Sequence, residues 1–592
     1  MRRLCKFAGT ILLLAGLVVS SSAANAPARL KLITPAAYLP QVPILVRVEA
    51  LNSQGVTDRS LWNGEAILSA SPAAVTLSTN RVRLRNGLGS VLVVVSGVEG
   101  DFTLTATLGS LTTSRSLATL ANVPVTTAGG TLAGTGTTWS GVVRVTSDVT
   151  VPAGHTLTIE SNTLVIIDGV ASGTTANDLL VAGTIRSLGT EEYPVTITCS
   201  SPTLRWGQIR HNNAQPSLYR HTSITRAGRG TGEGHTGTTP VIRPTNSRLV
   251  FENCNLTDFA ELSGGPGKIS FANGSDLTFV NCLFQRARMG PEIEGTALAC
   301  TNTWIMDMNG PDDADGIYPH NQAAGQQVTF SGCVLAAGDD DGIDTLGAIV
   351  TVEDCILRDW ASVVEDAKAI SVFNGATHIR RCLIVDSTVG VSAKWSGGGT
   401  TVVTINDSTI TRNMTNVLAQ RKDNAPGPFI DYRITNSIIW GGDAVQSDFA
   451  ETNFTIRYSL LSETWPGEGN TVTDPMFVNE LARDFHLRPY SPAIDAGSPL
   501  SPLDPDGSSP DLGCFRFVPP APVLAAPQMR PDGVYQFLLN AYTNRNYVIE
   551  SSSDAAAWNF VKTVAQAAES SLVADPTASN VTHRLYRARL AP

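Results

Sequence analysis

DDADGIYPHN occupies residues 312–321, and three segments of similar pattern follow: GDDDGIDTLG at 338–347, EDAKAISVFN at 365–374 and TVGVSAKWSGGG at 388–399. Each segment has the pattern of a short strand that ends in an apolar residue: Ile317, Ile343, Ile370 and Val391. These apolar residues recur at intervals of 21 to 27 residues. A repeat in that range is typical of a solenoid, in which every turn of chain stacks on the previous one.

A second strand pattern, apolar-x-x-Cys-x-apolar, lies between these segments. It occurs as FSGCVL at 330–335, VEDCIL at 352–357 and IRRCLI at 379–384. Its Cys position continues in both directions as a column of small residues: Thr222, Cys254, Cys282, Thr303, Cys333, Cys355, Cys382, Ser408, Ser437 and Ser459. The surrounding residues alternate between apolar and polar instead of following a helical period. Asn, Gly and Asp fill the joints, as tight turns require. The pattern predicts a parallel β-helix with this column stacked inside.

The chain resembles the right-handed parallel β-helix superfamily, which is the fold of pectate lyases and polygalacturonases. Its later segments also resemble the ends of many secreted β-helix proteins: DPMF at 474–477, DFHLRPYSPAIDAGSP at 484–499 and DPDGSSPDLGCF at 504–515. The resemblance covers roughly residues 123 to 517 and implies a right-handed β-helix there. It does not by itself select an activity, because this fold carries lyases, hydrolases, adhesins and inert spikes.

Residues 1–26 have the pattern of a signal peptide. Basic residues at 2, 3 and 6 precede an apolar run at 7–19, and Ala24-Asn25-Ala26 offers a cleavage site. No later stretch reaches the ~20 apolar residues of a membrane-spanning helix. The formal net charge of −10 argues against nucleic acid as a partner. We therefore expect a secreted monomer, extracellular or at the cell surface, without a membrane span.

Two further all-β modules flank the predicted β-helix. Alternating strands at 28–122 resemble an immunoglobulin-like β-sandwich, which we interpret as a spacer or stalk. A Pro/Ala-rich linker at 518–527 leads to short strands at 528–592, which predict a small β-sandwich. The cysteines within the β-helix are expected to be buried free thiols, because a large domain does not depend on disulfides.

Acidic residues concentrate just before the strands of the opening stretch. Coils of a β-helix lie ~4.8 Å apart, so these residues should share one outward face with two lysines. The set comprises Asp313, Asp315, Asp339, Asp340, Asp341, Asp344, Glu365 and Asp366 with Lys368 and Lys394. Three explanations remain open: a calcium site, a set of catalytic carboxylates, or solvated turns, in which Asp before Gly is common.

Part of this face resembles the motifs of polygalacturonases. That family carries Asn-Thr-Asp, Gly-Asp-Asp, Gly-His-Gly and Arg-Ile-Lys on successive coils. Asp315 matches the last residue of the first motif, and Gly338 to Asp341 resembles the second. Lys368 stands where the family has His, and Lys394 matches the last residue of the fourth motif. The resemblance implies that Asp315, Asp340 and Asp341 supply the acid and the water-activating pair of an inverting hydrolysis.

A lyase would use the same face differently. Lyases with this fold bind Ca²⁺ through clustered carboxylates, for which the candidates here are Asp313, Asp339, Asp344, Glu365 and Asp366. Lys368 or Lys394 would then remove a proton from the sugar, with Arg421 as a further candidate.

For substrate binding we predict Tyr318, His320 and Trp395, which could stack against a sugar ring, together with Arg421. The sequence favours a lyase or hydrolase of an acidic polysaccharide. The alternative is a non-catalytic protein that binds glycans or serves as a rigid extracellular rod.

Overall fold

The computed structural model describes residues 27–591, except for 98–99, 260–266, 311–312, 362–366, 397–399, 422–428, 449–451 and 581–582. The described chain is built from β-strands, and its one helical element is the 3-10 turn Pro576–Asn580. Within these residues, no helix is long and apolar enough to cross a membrane. The chain forms two compact units, one reaching to residue 474 and including 512–514, the other formed by 475–511 and the residues from 515 onward.

The N-terminal module is a β-structure with its own core. Its strands are Arg29–Ile33, Ala37–Tyr38, Ile44–Leu51, Asn63–Ser71, Thr76–Leu77, Arg81–Arg85, Leu88–Val93, Val95–Ser96, Phe102–Leu108 and Leu111–Thr119. Eight of them form one continuous, mainly antiparallel sheet. Leu32 near one end of this sheet and Leu117 near the other belong to the same buried cluster, so the sheet folds around a shared core.

The central domain is a parallel β-helix with three strands in each coil. The strand Val125–Thr131 pairs with the long strand Val142–Val151, from which two ladders of parallel strands start. The column ladder, which follows the small-residue column, consists of Leu164–Ile167, Val195–Cys199, Thr222–Thr225, Asn255–Thr257, Leu283–Ala287, Trp304–Met308, Val334–Gly338, Ile356–Trp360, Leu383–Val385, Thr409–Thr411, Ile438–Trp440 and Leu460–Leu461.

The second ladder carries the predicted site and is called the site ladder. It consists of Leu179–Val181, Ile209–Asn212, Pro240–Thr245, Lys268–Asn273, Met289–Glu294, Tyr318–His320, Ile343–Leu346, Lys368–Phe373, Val389–Trp395, Thr415–Arg421 and Asp443–Ser447. The third ladder consists of Gly136–Trp139, Thr156–Glu160, Thr184–Leu188, Ser217–Arg220, Arg248–Glu252, Asp276–Val280, Ala297–Thr301, Val328–Ser331, Ile349–Glu353, Ala376–Arg380, Thr401–Asn406, Ile430–Thr435 and Asn453–Arg457.

The predicted column of small residues is confirmed as an interior stack. All ten of its members are buried. Neighbouring coils are joined through it, because the backbone N–H of Cys382 donates to Ser408 Oγ at 3.2 Å and that of Ser408 to Ser437 Oγ at 3.3 Å. The cysteines are free thiols, as predicted, although Cys333 Sγ lies 3.9 Å from Cys300 Sγ.

The residue before each column position explains the Asn and Asp in the joints. Asn302, Asp354 and Asp407 have φ angles of 48°, 55° and 49°, in the left-handed region that Asn and Asp tolerate best among residues with a side chain. The Asn side chains also bond along the stack, since Asn281 Nδ2 donates to Asn253 Oδ1 at 3.2 Å. One left-handed residue per coil thus turns the chain into the column ladder.

The N-terminal module packs against the column ladder instead of standing apart as a spacer. Leu88 is buried against Trp304, Met306 and other apolar side chains that face outward from this ladder. Polar contacts surround this patch, including the hydrogen bond from Arg47 Nη1 to Asn255 Oδ1 at 2.9 Å. The module covers an apolar face that would otherwise meet water, which a stalk would not do.

The C-terminal unit contains the antiparallel pair Phe477–Asn479 and Asp484–Leu487 and two three-stranded sheets. One sheet is Val523–Met529, Tyr535–Asn540 and Ser570–Asp575, and the other is Arg545–Ser552, Asn559–Gln566 and Leu585–Leu590. Phe537 and Ile549 of the two sheets share one core, so this is the predicted small β-sandwich. Its first strand starts inside the predicted linker 518–527, because Val523 pairs with Asn540.

Candidate active site

The register of the site ladder aligns Asp315, Asp341 and Lys368 on successive coils. Ile343 pairs with Ile370, which places Asp341, just before its strand, beside Lys368, the first residue of the next one. The backbone N–H of Lys368 donates to Asp341 Oδ1 at 2.8 Å, and the backbone N–H of Asp341 donates to Asp315 Oδ1 at 3.3 Å. A carboxylate of one coil therefore accepts the backbone N–H of the next, which explains why Asp occurs at this corner of the helix.

Three carboxylates meet at this corner. One oxygen from each of Asp315, Asp340 and Asp341 lies within 4.8 Å of the others. Asp315 and Asp341 are only 2% and 3% exposed, whereas Asp340 is half-buried. The predicted catalytic carboxylates are therefore brought together, with Asp340 on the solvent side of the group.

Both predicted lysines reach the same carboxylate. Lys368 Nζ lies 3.6 Å from Asp341 Oδ1, and Lys394 Nζ lies 3.6 Å from Asp341 Oδ2. Lys394 Nζ is also 4.0 Å from Asp344 Oδ1. Asp341 is thus held between two cations, while Asp315 on the neighbouring coil has no ion pair of this kind among the described residues.

The carboxyl groups around Asp341 all have raised pKa values. Burial raises the pKa of Asp315 well above its usual range, and the negative charges of Asp344, Asp341 and Asp340 add to this effect. Burial, followed by the charge of Asp341, raises the pKa of Asp340 to about 7 and that of Asp344 to about 6. Asp315 therefore holds its proton to a higher pH than an ordinary carboxyl does, next to an Asp341 that pairs with two lysines.

Of the five predicted calcium ligands, the three described ones, Asp313, Asp339 and Asp344, are not in the described group of three or more potential metal ligands. Asp313 Oδ1 lies 3.2 Å from His235 Nε2, and Asp339 Oδ2 accepts the backbone N–H of Gly310 at 3.1 Å. Glu365 and Asp366 lie outside the described residues. Within the described part of the chain, the group of three or more potential metal ligands is Asp315, Asp340 and Asp341 instead.

The predicted sugar-stacking residues are only partly placed as expected. Tyr318 is 6% exposed, because its ring lies between His235 at 5.2 Å and His320 at 4.7 Å. Trp395 is 3% exposed and belongs to the interior core, so its predicted contact with a sugar is wrong. It faces inward because side chains alternate along the strand and its neighbour Lys394 faces outward.

Arg421 does not occupy the strand position that pairs with Lys394 on the neighbouring coil. The strand register pairs Gln420 with Lys394 and Arg421 with Trp395, so the predicted position of Arg421 was one residue out of register. Arg421 is exposed at the end of its strand, where its backbone N–H donates to Asp448 Oδ2 at 2.9 Å. A shift of one residue moves a side chain to the other face of a sheet.

A second charged cluster lies on the coils before Asp315 and was not predicted. Glu292, which is 1% exposed, forms an ion pair with the buried Lys268. Its Oε1 lies 3.3 Å from His320 Nε2 and accepts the backbone N–H of His235 at 2.8 Å. Glu292 thereby tethers the segment around His235 beside Tyr318. Glu292 pairs with Tyr318 in the strand register. Extending the alignment of the repeats from Tyr318 to the preceding coil would therefore have identified Glu292.

The raised carboxyl pKa values predict a pH-dependent cost in stability. A carboxyl with a raised folded-state pKa lowers the stability of the protein as the pH rises. The loss occurs between the carboxyl's pKa in the unfolded chain, about 4, and its pKa in the folded protein, about 7 for Asp340. Asp340→Asn should therefore raise the free energy of unfolding by roughly 1–3 kcal/mol at pH 8 and change it little at pH 4. Urea denaturation at the two pH values measures this.

Asp354→Asn provides a control of opposite sign. The side-chain hydrogen bonds from Arg381, at 2.7 Å each, lower the pKa of Asp354. This contribution is present at pH 8 and is lost in acid, so the substitution should destabilise the protein slightly at pH 8. If Asp340→Asn instead destabilised the protein at pH 8, burial and the negative charge of Asp341 would not be the dominant influences on Asp340.

No protein-family model and no curated protein match this chain. Among solved structures, a mutant of the periplasmic alginate epimerase AlgG is 9% identical, with a TM-score of 0.26, over 56% of this chain and 77% of that chain. A mutant tailspike protein of E. coli bacteriophage HK620, solved with a hexasaccharide, is 11% identical, with a TM-score of 0.14, over 77% of this chain and 86% of that chain.

A glycosyl hydrolase family 2 member from Bacteroides cellulosilyticus DSM 14838 is 14% identical, with a TM-score of 0.14. That match covers 15% of this chain and 14% of the hydrolase. Because the identities and TM-scores of these matches are low, the β-helix is assigned from the strand pairing of the chain itself. That pairing forms parallel sheets of 25 and 13 strands.

Proposed function

We propose that this protein is a secreted enzyme that hydrolyses an extracellular polysaccharide. The observation that carries the proposal is the pairing of two buried carboxyl groups in different environments on adjacent coils. Asp315 is buried with a raised pKa, and Asp341 lies between two lysine ammonium groups. Environments that separate the charge states of neighbouring carboxyls are how glycosidases obtain an acid and a base at one pH.

In this proposal, Asp315 donates a proton to the oxygen of the leaving sugar. Asp341, as a carboxylate, activates a water molecule that attacks the anomeric carbon, and Asp340 assists it from the solvent side. Lys368 and Lys394 hold Asp341 in place through their ion pairs. The hydrolysis then yields a new reducing end for each bond cleaved.

Elimination is the second candidate, because two lysines lie at the site. A lysine that removes a proton from a sugar must first be a neutral amine. Both lysines are engaged instead as charge partners of Asp341, at 3.6 Å each. This arrangement favours hydrolysis over elimination.

Calcium would fit the triplet Asp315, Asp340 and Asp341, because oxygens within 4.8 Å of one another can share one ion. When bound, the ion would supply positive charge that offsets the carboxylates. Binding would require an ionised Asp315, whereas the proposed hydrolysis requires a protonated one. Millimolar Ca²⁺ should therefore raise the melting temperature and reduce turnover. Thermal melts and assays with Ca²⁺ or chelator measure both effects, and turnover that depends on Ca²⁺ would favour elimination.

The proposed function is tested with a panel of polysaccharides. The purified chain without residues 1–26 is incubated with polyuronates, neutral polymers and amino-sugar polymers, each with and without chelator. Acidic polymers are the first candidates, as the sequence predicts. Hydrolysis is expected to give reducing ends without ultraviolet-absorbing unsaturated products. Unsaturated products would show a lyase, and binding without any cleavage would show a glycan-binding protein.

Secretion is also part of the proposal. It rests on the signal-peptide pattern of residues 1–26, which lie outside the described residues. An extracellular polymer is a substrate that such a protein would meet. Expression of the complete chain in a bacterial host, followed by N-terminal sequencing of the exported product, tests this point.

A further inference from the structure

Trp360 is a buried aromatic residue directly behind the candidate active site. It ends the strand Ile356–Trp360 of the column ladder and is completely shielded from solvent. Its indole Nε1 donates to the backbone oxygen of Leu335 at 3.2 Å, and its own backbone N–H donates to Ser387 Oγ at 3.2 Å. These bonds fix the ring in one orientation inside the helix.

The indole fills the space beside three glycines that flank the catalytic carboxyls. A Cβ atom at Gly316 would lie 2.8 Å from Trp360 Cη2, and one at Gly342 would lie 2.9 Å from Trp360 Nε1. At both positions a backbone oxygen of the next coil, that of Gly342 or Ala369, would be nearer still. At Gly338 the Cβ would be closer still, and all three of its nearest atoms belong to the indole. None of these three glycines has a positive φ. Glycine is therefore required at these positions by lack of space, not by backbone conformation.

These glycines lie next to the reacting groups in the chain. Gly316 follows Asp315, and Gly338 and Gly342 bracket the three consecutive aspartates that end with Asp341. The backbone N–H of Gly316 donates to the oxygen of Asp341 at 2.8 Å, and that of Gly342 donates to the oxygen of Lys368 at 2.8 Å. A displacement of the backbone at Gly316 or Gly342 would therefore move two coils of the site together.

We propose that Trp360 is a positioning residue for the active site: its indole sets the path of the backbone at Gly316, Gly338 and Gly342 and thereby the distance between Asp315 and Asp341. The expected effect on turnover rests on the proposed hydrolysis. The expected effect of the indole on the positions of Asp315 and Asp341 does not depend on it. Trp360 touches no substrate and acts only through the aspartates. Misplacement of catalytic groups by about 1 Å can cost about 100-fold in rate.

Trp360→Phe tests the proposal, with Trp206→Phe as the matched control. Phenylalanine leaves part of the space beside the glycines empty, so kcat should fall at least ~10-fold while KM changes little. Trp206 is equally buried in the helix core, and its Nε1 donates to the oxygen of Thr225 at 2.9 Å, on coils distant in sequence from Asp315. Trp206→Phe should leave kcat nearly unchanged. Equal losses of kcat in the two variants would overturn the proposal.

Gly338→Ala supplies a rescue experiment, because the three atoms nearest to its new methyl group all belong to the indole. The substitution should lower kcat in the wild-type background and restore part of the lost kcat in the Trp360→Phe background, where the space is free. The same effect of Gly338→Ala in both backgrounds would contradict the proposal.

Crystal structures of the two tryptophan variants separate this inference from the proposed function. The hydrogen bond from the Asp341 backbone N–H to Asp315 Oδ1 should lengthen or break in Trp360→Phe only. That result would support the positioning role even if the wild-type protein cleaved none of the polymers in the panel. If the hydrogen bond between Asp341 and Asp315 were unchanged in Trp360→Phe, the positioning role of Trp360 would be overturned, even if the protein proved to be a hydrolase.

Discussion

Replacing Asp315 with asparagine is expected to reduce kcat on the polysaccharide by about 10²- to 10⁴-fold, which is the usual contribution of a general acid. Burial and the neighbouring carboxylates raise the pKa of Asp315, so the folded protein favours the neutral form of this group. Asparagine has nearly the same shape and can still accept the backbone N–H of Asp341. The variant should therefore fold normally, and its loss of rate would report chemistry, as measured by the release of reducing ends.

The leaving group provides a sharper test of this role. An aryl glycoside of the same sugar, with a leaving group that needs no proton, should lose much less rate in Asp315→Asn than the polymer does. Asp276→Asn is a suitable control, since Asp276 lies on the third ladder and its half-exposed side chain pairs with Arg248. Equal losses with both substrates, or full activity of Asp315→Asn on the polymer, would exclude Asp315 as the acid.

The β-helix could be predicted from the sequence because its constraints are local and repeat in every coil. Each coil needs residues that tolerate left-handed turns, such as Asp354, which is followed by the small interior residue Cys355. These requirements leave a readable pattern in every repeat. The packing of the N-terminal module left no such pattern, because contacts such as Arg47 with Asn255 join residues 208 positions apart.

The candidate site was predictable in part for the same reason. Asp315, Asp341 and Lys368 hold equivalent register positions near the start of their strands, and the repeat aligned them correctly. Arg421 was misplaced because counting through a coil of variable length gives an error of one residue, and such an error reverses the face. Trp360 could not be recognised, since a buried tryptophan resembles any core residue until the glycines packed against it are known.

Arg358→Ala is expected to destabilise the unit formed by the N-terminal module and the β-helix by about 3–5 kcal/mol. Arg358 is completely buried where the two meet. Its guanidinium donates to Asn86 Oδ1 at 2.8 Å, to Asn63 Oδ1 at 3.1 Å and to the backbone oxygen of Trp62, whose ring it also covers at 5.1 Å. Alanine would leave the buried Asn86 Oδ1 without this donor and would remove the ion pair with Asp359, 2.6 Å from the guanidinium.

The effect should be largest where the N-terminal module meets the column ladder. Urea denaturation would give the loss of stability, and hydrogen exchange should show faster exchange in the module strand Leu88–Val93 and in Ile356–Trp360. Arg380→Ala is the matched control, because Arg380 is about half exposed and pairs with Glu353 on the outer surface, where such pairs contribute less than about 1 kcal/mol. Arg358→Lys keeps the charge but cannot reach all the acceptors, so an intermediate loss is expected. If Arg358→Ala cost no more than Arg380→Ala, the contact would be incidental and the module would serve as the spacer that its sequence suggests.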